Sequence, residues 1–133
     1  MNNEDYILAL YVVTPDGHYM QVKHRYDYQS YTDTLTGETY MADGLGWYYR
    51  SSVNLVPATF NMITLKSDHK YARDYVLWGT RGKDRSLSLE YVPVSLLETE
   101  HISAILATQK QIAEPLRIFF ERELEYRKQE NLP

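Results

Sequence analysis

The chain has 133 residues, a formal net charge of -4 and no cysteine. This length is typical of a single domain that buries its own core, and the absence of cysteine excludes disulfides and thiolate metal sites. We therefore expect one domain over residues 1-133 in a reducing compartment. The acidic balance argues against binding dominated by phosphate contacts, which needs an excess of lysine and arginine. No targeting segment or membrane-spanning apolar run is visible, which predicts a cytoplasmic location.

The first third of the chain has the pattern of a β-hairpin. Residues 6–13 carry apolar side chains at both odd and even positions, which is typical of a central strand buried on both faces. Residues 14–17, Thr-Pro-Asp-Gly, combine the residue types that favour a tight turn. Residues 19–31 then alternate between apolar or aromatic and polar side chains, so we expect a strand that pairs back antiparallel.

The middle third predicts more short strands separated by turns. Thr36 and Gly37 lie where a second hairpin turns, and a glycine-rich break at 43–46 precedes the next strands. We expect these further strands over residues 47–56, 59–65, 74–79 and 86–92, the last two forming a third hairpin. The segment 67–73 fits either one helical turn capped by Ser67 or Asp68, or a loop leading into the strand at 74–79.

Residues 94–129 form the one long segment with sustained helical periodicity, because apolar residues recur at spacings of three and four. Ser95 and Glu98 have the spacing of a capping box, and Pro115 predicts a kink or a new helix start. Strands followed by helices predict an α+β domain. We expect an antiparallel, meander-like sheet of about five or six strands, with one bent helix or two helices covering one face.

Two features of this last segment bear on interactions. Glu123 and Arg127 have i,i+4 spacing within a run of charged residues, which is typical of a solvated helix face. Phe119 and Phe120 are adjacent and point about 100° apart on a helix. We expect one of the two rings to be available to a partner or to a second copy in a homodimer.

Motifs for catalysis or cofactor binding are absent from the sequence. The four histidines have no metal-ligand spacing, residues 79–83 lack the spacing of a phosphate-binding loop, and no nucleophile elbow is present. We therefore predict no metal and no cofactor. Asp68, His69 and Arg73 form the most compact polar set, and an enzyme with a non-local site around them is our third hypothesis.

A band of basic residues supports the second hypothesis. Aromatic residues Tyr71, Tyr75 and Trp78 are interleaved with this band, and ring stacking combined with positive charge is typical of single-stranded nucleic-acid or nucleotide binding. An acidic protein would also fit the band, and a solvated surface is the simpler interpretation. The basic band consists of Lys66, Lys70, Arg73, Arg81, Lys83 and Arg85.

The leading hypothesis comes from the aromatic content. The chain has 13 tyrosines but only 3 phenylalanines, and tyrosine supplies a rigid ring with a hydroxyl group that tolerates water. Trp47, Tyr48, Tyr49 and Arg50 follow the glycine-rich break and are our candidate partner-binding residues, since Trp, Tyr and Arg dominate binding hot spots. We expect a small protein-binding module, an adaptor or an inhibitor that masks a site on another protein, without catalysis. Bacterial immunity proteins and phage-encoded blockers share this profile, by analogy of composition only.

Overall fold

The structure is a computed structural model that describes residues 2–52, 55–81 and 88–133. The chain forms two compact units, one spanning Ala9–Met62 and the other containing the chain up to Leu8 and from Ile63 onward. That the chain is a single domain stays a prediction. The strands are β1 (Ala9–Val13), β2 (Tyr19–Val22), β3 (Tyr28–Thr32), β4 (Thr39–Asp43), β5 (Tyr48–Ser51), β6 (Thr59–Ile63), β7 (Leu77–Thr80) and β8 (Glu90–Pro93). The helices are α1 (His69–Ala72), α2 (Thr99–Thr108) and α3 (Glu114–Gln129), with 3-10 turns at Asn3–Asp5 and Val94–Leu96.

The predicted α+β class, with antiparallel strands followed by helices, is confirmed. The described residues contain eight strands where about five or six were expected. These strands form three sheets, with the orders β2-β1-β6, β3-β4-β5 and β7-β8, instead of one continuous meander. Turns interrupt the long strands that were expected. The short strands on the two sides of such a turn, for example β2 and β3, belong to different sheets.

The unit Ala9–Met62 contains the first two sheets. The predicted hairpin is confirmed, since β1 pairs antiparallel with β2 with Leu10 opposite Val22, and β1 is the central strand of its sheet. Alternate residues point inward from several strands and bury their side chains together. This core consists of Leu10, Val12, Met20, Val22, Tyr40, Ala42 and Ala58.

The strand predicted over residues 19–31 is broken by a turn between β2 and β3. The Asp27 carboxylate accepts a hydrogen bond from the Lys23 amide at 2.9 Å, and the Asp27 carbonyl oxygen accepts one from the Gly44 amide at 2.9 Å. Gly44 is required at this contact, because a Cβ atom there would lie 2.2 Å from the His24 carbonyl oxygen. The close approach of two backbone segments therefore decides where the strand ends.

Two carboxylates, the buried Asp33 and the half-buried Asp16, stabilise the turns of the same unit. Asp33, almost fully buried, accepts hydrogen bonds from the amides of Asp16 at 2.8 Å and Thr36 at 2.7 Å. The Tyr31 hydroxyl in turn donates to Asp16 at 2.6 Å. These bonds connect the β1–β2 turn to the β3–β4 turn and satisfy backbone groups that would otherwise lack partners.

The other unit contains the third hairpin and the helices. The ambiguous segment 67–73 contains a helical turn, α1, whose first turn is capped by Asp68 through a 3.2 Å bond from the Lys70 amide. The hairpin predicted from residues 74–79 and 86–92 is present as β7 and β8, with Gly79 opposite Tyr91. Residues 82–87, between these two strands, lie outside the described residues.

The helical segment divides into two helices. Pro115 lies in the first turn of α3, as its fixed φ angle favours. The predicted capping box is wrong: Ser95 lies in a 3-10 turn, and Glu98, which precedes α2, makes no capping bond through its side chain. The expectation that one phenylalanine would be available to a partner is also wrong. Both Phe119 and Phe120 are buried, and Phe120 packs edge-on against Trp78 with ring centroids 5.3 Å apart.

Candidate functional site

The outward side of the sheet β3-β4-β5 carries the candidate site. Strand pairing places Tyr28, Asp43 and Tyr48 in one row across the sheet. The next row on the same side contains Ser30, Met41 and Arg50. Residues directly opposite one another share a face, so these side chains form one surface. We call these six residues, Tyr28, Ser30, Met41, Asp43, Tyr48 and Arg50, the aromatic face.

The aromatic face is open to solvent. Tyr28, Ser30, Tyr48 and Arg50 are exposed, with Tyr48 at 42% exposure, whereas Met41 and Asp43 on the central strand are half-buried. The alternate residues of β4, Tyr40 and Ala42, are fully buried on the other side. The sheet therefore has one side that faces the core and one side that faces solvent, and the rings of Tyr28 and Tyr48 lie on the solvent side.

The predicted set Trp47, Tyr48, Tyr49 and Arg50 divides between these two sides. Tyr48 and Arg50 belong to the aromatic face. Trp47 and Tyr49 are partly buried and pack against the core, and the Tyr49 hydroxyl donates to the Ala58 carbonyl oxygen at 3.4 Å. The division follows the alternation expected of a strand, although Trp47 lies in the turn before β5 with a φ of 52°.

Asp43 is the charged centre of the aromatic face. One oxygen of its carboxylate accepts from the Leu45 amide at 2.9 Å, and the other accepts from the Tyr48 hydroxyl at 3.4 Å. The turn that follows β4 thus orients the carboxylate beside a tyrosine ring. Sequence reasoning missed Tyr28, Met41 and Asp43 as neighbours of Tyr48, because they come from other strands and only the register brings them together.

A second polar cluster is buried between α1 and α3. Glu123, with 0% exposure, accepts hydrogen bonds from Arg73 Nη2 at 2.6 Å and Arg127 Nε at 2.7 Å, and its other oxygen lies 2.9 Å from His69 Nε2. Arg127, with 5% exposure, also donates to the Thr99 hydroxyl at 2.8 Å. The interpretation of Glu123 and Arg127 as a solvated helix face is therefore wrong.

Glu123 is ionised in this environment. Burial raises the pKa of its carboxyl, but the hydrogen bonds from Arg73, His69 and Arg127 outweigh that effect and hold the pKa at about 2. Spacing contained a signal for this burial, since residues 116, 119, 120, 123 and 127 continue one helical stripe. The charged residue type at 123 and 127 hid that signal.

The geometry of this cluster is that of a structural ion-pair network. His69 packs against the rings of Phe119 and Tyr126, with centroids 4.7 and 5.5 Å away, and its Nδ1 atom is buried without a hydrogen-bond partner. Neither of the two described cavities is lined by His69, although Arg73 lines one of them. Of the predicted polar set, His69 and Arg73 meet at Glu123, whereas Asp68 caps α1 instead.

The basic band is only partly available for binding. Lys66 pairs with Asp5 at 2.8 Å and Arg73 pairs with Glu123, so two of its members have carboxylate partners. Lys70 is exposed. Lys83 and Arg85 lie outside the described residues.

Arg81 and Trp78 line a cavity of about 520 Å³ between the β7–β8 hairpin and α2. In a nucleotide site, an aromatic ring such as Trp78 stacks on the base and a cation such as Arg81 binds the phosphate. Glu98 and Glu100 line the same cavity, however, and their carboxylates would repel a phosphate group. This lining therefore disfavours the nucleotide hypothesis at this place.

Within the three described ranges, no group of three or more His, Asp or Glu side chains is arranged to hold a metal ion. The helices found in those ranges are too short or too polar to cross a membrane. No protein-family model matches the chain, and no curated protein or solved structure is significantly similar to it.

Proposed function

We propose that this protein is a non-catalytic binding module that recognises another protein through the aromatic face, as an adaptor or as an inhibitor that masks a site. The observation that carries the proposal is the row Tyr28–Asp43–Tyr48, in which two exposed rings lie on either side of a carboxylate. Tyrosine, methionine and arginine are enriched in protein interfaces, and the aromatic face contains all three.

The position of these rings supports binding more than folding. Tyr48 lies on the solvent-exposed side of the sheet and keeps 42% of its surface exposed, so part of its apolar ring stays in water when the chain folds. A partner that covers the ring would gain that surface. Tyrosine also loses little conformational entropy on binding, because few torsions must be restricted.

The charges of the aromatic face specify the chemistry of the partner. A lysine or arginine of the partner would contact the Asp43 carboxylate and lie between the rings of Tyr28 and Tyr48, where cation–π attraction adds to the ion pair. Arg50, in the neighbouring row, matches a carboxylate or a backbone carbonyl of the partner. We therefore expect a partner surface with an exposed cation surrounded by apolar groups.

The test uses the full chain as bait in a native lysate of its source, followed by affinity measurements with the purified partner. Tyr48→Ala and Asp43→Asn should each weaken binding by at least about 30-fold, on the order of 2 kcal/mol, as expected for hot-spot residues. Tyr71→Ala is the matched control, since Tyr71 is a tyrosine of similar exposure, 38%, on α1. It should leave the affinity unchanged.

Thermal melts of the variants separate binding from folding. Tyr48→Ala should melt within a few degrees of the wild-type protein, because the ring is exposed. If the Tyr48 and Asp43 variants bind the recovered partner as tightly as the wild-type protein does, the aromatic face is not the binding site and the proposal fails.

A further inference from the structure

Strand β6 is the outermost strand of the sheet β2-β1-β6 in the part of the chain that the structure describes. Its residues Thr59, Phe60, Asn61 and Met62 are all exposed, although the Phe60 ring packs on Tyr49 with centroids 4.7 Å apart and the Asn61 side-chain amide donates to the Tyr11 hydroxyl at 3.4 Å. An exposed apolar edge of this kind is a template for pairing with another strand.

The sequence of β6 contains none of the features that usually protect an edge. Its five residues, Thr-Phe-Asn-Met-Ile, include no charge and no proline, and the described strand contains no break. Natural proteins normally place lysine, proline or a bulge at such an edge to prevent association. Their absence here favours an edge that a strand covers in solution.

The direction of the backbone groups identifies which residues would pair. The Leu8 amide, just before β1, donates to the Ile63 carbonyl oxygen at 2.7 Å, so the backbone groups of Ile63 point toward the β1 side. Backbone groups alternate along a strand. Those of Asn61 therefore also point toward β1, and those of Phe60 and Met62 point toward the open edge.

We propose that a second copy of this chain covers β6, with the two β6 strands antiparallel about a twofold axis at Asn61. Phe60 then lies opposite Met62 of the second copy. The backbone groups of both residues point toward the open edge, so they can form hydrogen bonds between the two copies. The side chains of this pair match as well, since a methionine sulfur contacts an aromatic ring favourably. The strand is thus self-complementary in backbone and side chains, as an isologous dimer requires.

A second copy is favoured over an unrelated strand because, when β6 pairs with β6 of the copy about Asn61, the residues on the two strands match each other. Pairing about Asn61 places no like charges opposite each other and leaves neither apolar side chain without an apolar partner. The dimer surface is distinct from the aromatic face, so the inference is independent of the proposed function. A single strand pair buries little area, which predicts a reversible dimer at high protein concentration.

The first experiment is sedimentation equilibrium of the full chain from about 10 µM to about 1 mM, a range that spans weak association. We expect the average mass to rise with concentration toward that of a dimer. Asn61→Lys places two like charges across the twofold axis and should keep the protein monomeric. Gln129→Lys makes the same charge change at an exposed position on α3 and should dimerise as the wild-type protein does.

The second experiment tests the register by disulfide cross-linking, which the lack of native cysteine makes unambiguous. Asn61 would face its own copy as a non-hydrogen-bonded pair with Cα atoms about 4.5 Å apart, within disulfide range. Asn61→Cys should therefore cross-link rapidly under mild oxidation. Phe60→Cys and Met62→Cys should each cross-link slowly alone but rapidly when mixed together.

A mass that stays monomeric at every concentration overturns the proposal. Cross-linking of Asn61→Cys no faster than that of an exposed Gln129→Cys control also overturns it, even if a dimer exists, because that dimer would use another surface. Circular dichroism of each variant checks that the fold is intact. Asn61 is exposed, whereas the Phe60 ring packs on Tyr49 with centroids 4.7 Å apart, so Phe60→Cys is the variant for which this check matters most.

Discussion

Glu123 and Arg127 lie one turn apart on α3 and form a 2.7 Å ion pair between two buried side chains. Burying a charge is costly unless every polar atom finds a partner. Here Arg127 also donates to the Val94 carbonyl oxygen at 3.1 Å, while His69 and Arg73 from the α1 region contact Glu123. The pair therefore connects α3 to α1 and to the segment before α2.

The first prediction concerns the stability that depends on Glu123. Glu123→Gln removes the negative charge and leaves the buried Arg127 and the half-buried Arg73 without compensation, so the free energy of unfolding should fall by about 3–5 kcal/mol. Urea unfolding measures this loss. Glu121→Gln is the matched control, because Glu121 pairs with Arg117 on an exposed surface, and it should cost less than about 1 kcal/mol. Equal losses in the two variants would contradict a structural role for the cluster.

The second prediction is the pH dependence of the same interaction. The carboxyl of Glu123 has a pKa of about 2 in the folded protein, below its ordinary value of 4.5. A group with a lowered folded pKa contributes stability that is complete above the ordinary pKa and is lost as the pH falls toward the folded pKa. The difference in unfolding free energy between wild type and Glu123→Gln should therefore shrink as the pH falls from about 4.5 toward about 2. A constant difference across that range would refute the assignment.

The third prediction separates the two sides of the sheet β3-β4-β5. Trp47 packs against the core, so Trp47→Ala should lower the free energy of unfolding by about 2 kcal/mol or more, somewhat below the loss for a fully buried ring. Tyr48→Ala should lose less than about 1 kcal/mol because its ring is exposed. Chemical denaturation of both variants checks the difference. Comparable losses would mean that Tyr48 also contributes to the core.

The fourth prediction concerns the contact that breaks the strand predicted over residues 19–31. Gly44→Ala forces a Cβ atom onto the His24 carbonyl oxygen and should lower the free energy of unfolding by at least about 1–3 kcal/mol. Gly37→Asn is a contrasting variant, because Gly37 has a φ of +74° and open space around it, and asparagine tolerates this conformation. Its melting temperature should stay close to that of the wild-type protein. A tolerated Gly44→Ala would mean that the two backbone segments separate easily.

The amino-acid sequence by itself determined the local structure where alternation, helical periodicity and turn chemistry agree. The β1–β2 hairpin, the central position of β1 and the helix start near Pro115 all follow from such local patterns, because they depend on residues close together in the chain. The same alternation along β5 already implied that Tyr48 points away from Tyr49.

Only the tertiary structure decided which distant side chains meet. The aromatic face depends on strand register, which places Tyr28 and Asp43 beside Tyr48 across three strands. The Glu123 cluster depends on the packing of α3 near α1, because a buried carboxylate needs charge compensation, and Arg73 from the end of α1 adds to that of Arg127 on α3 itself. Arg127 is local to Glu123, but Arg73 and His69 are 50 and 54 positions away in the chain, and only the tertiary structure shows that they complete the compensation.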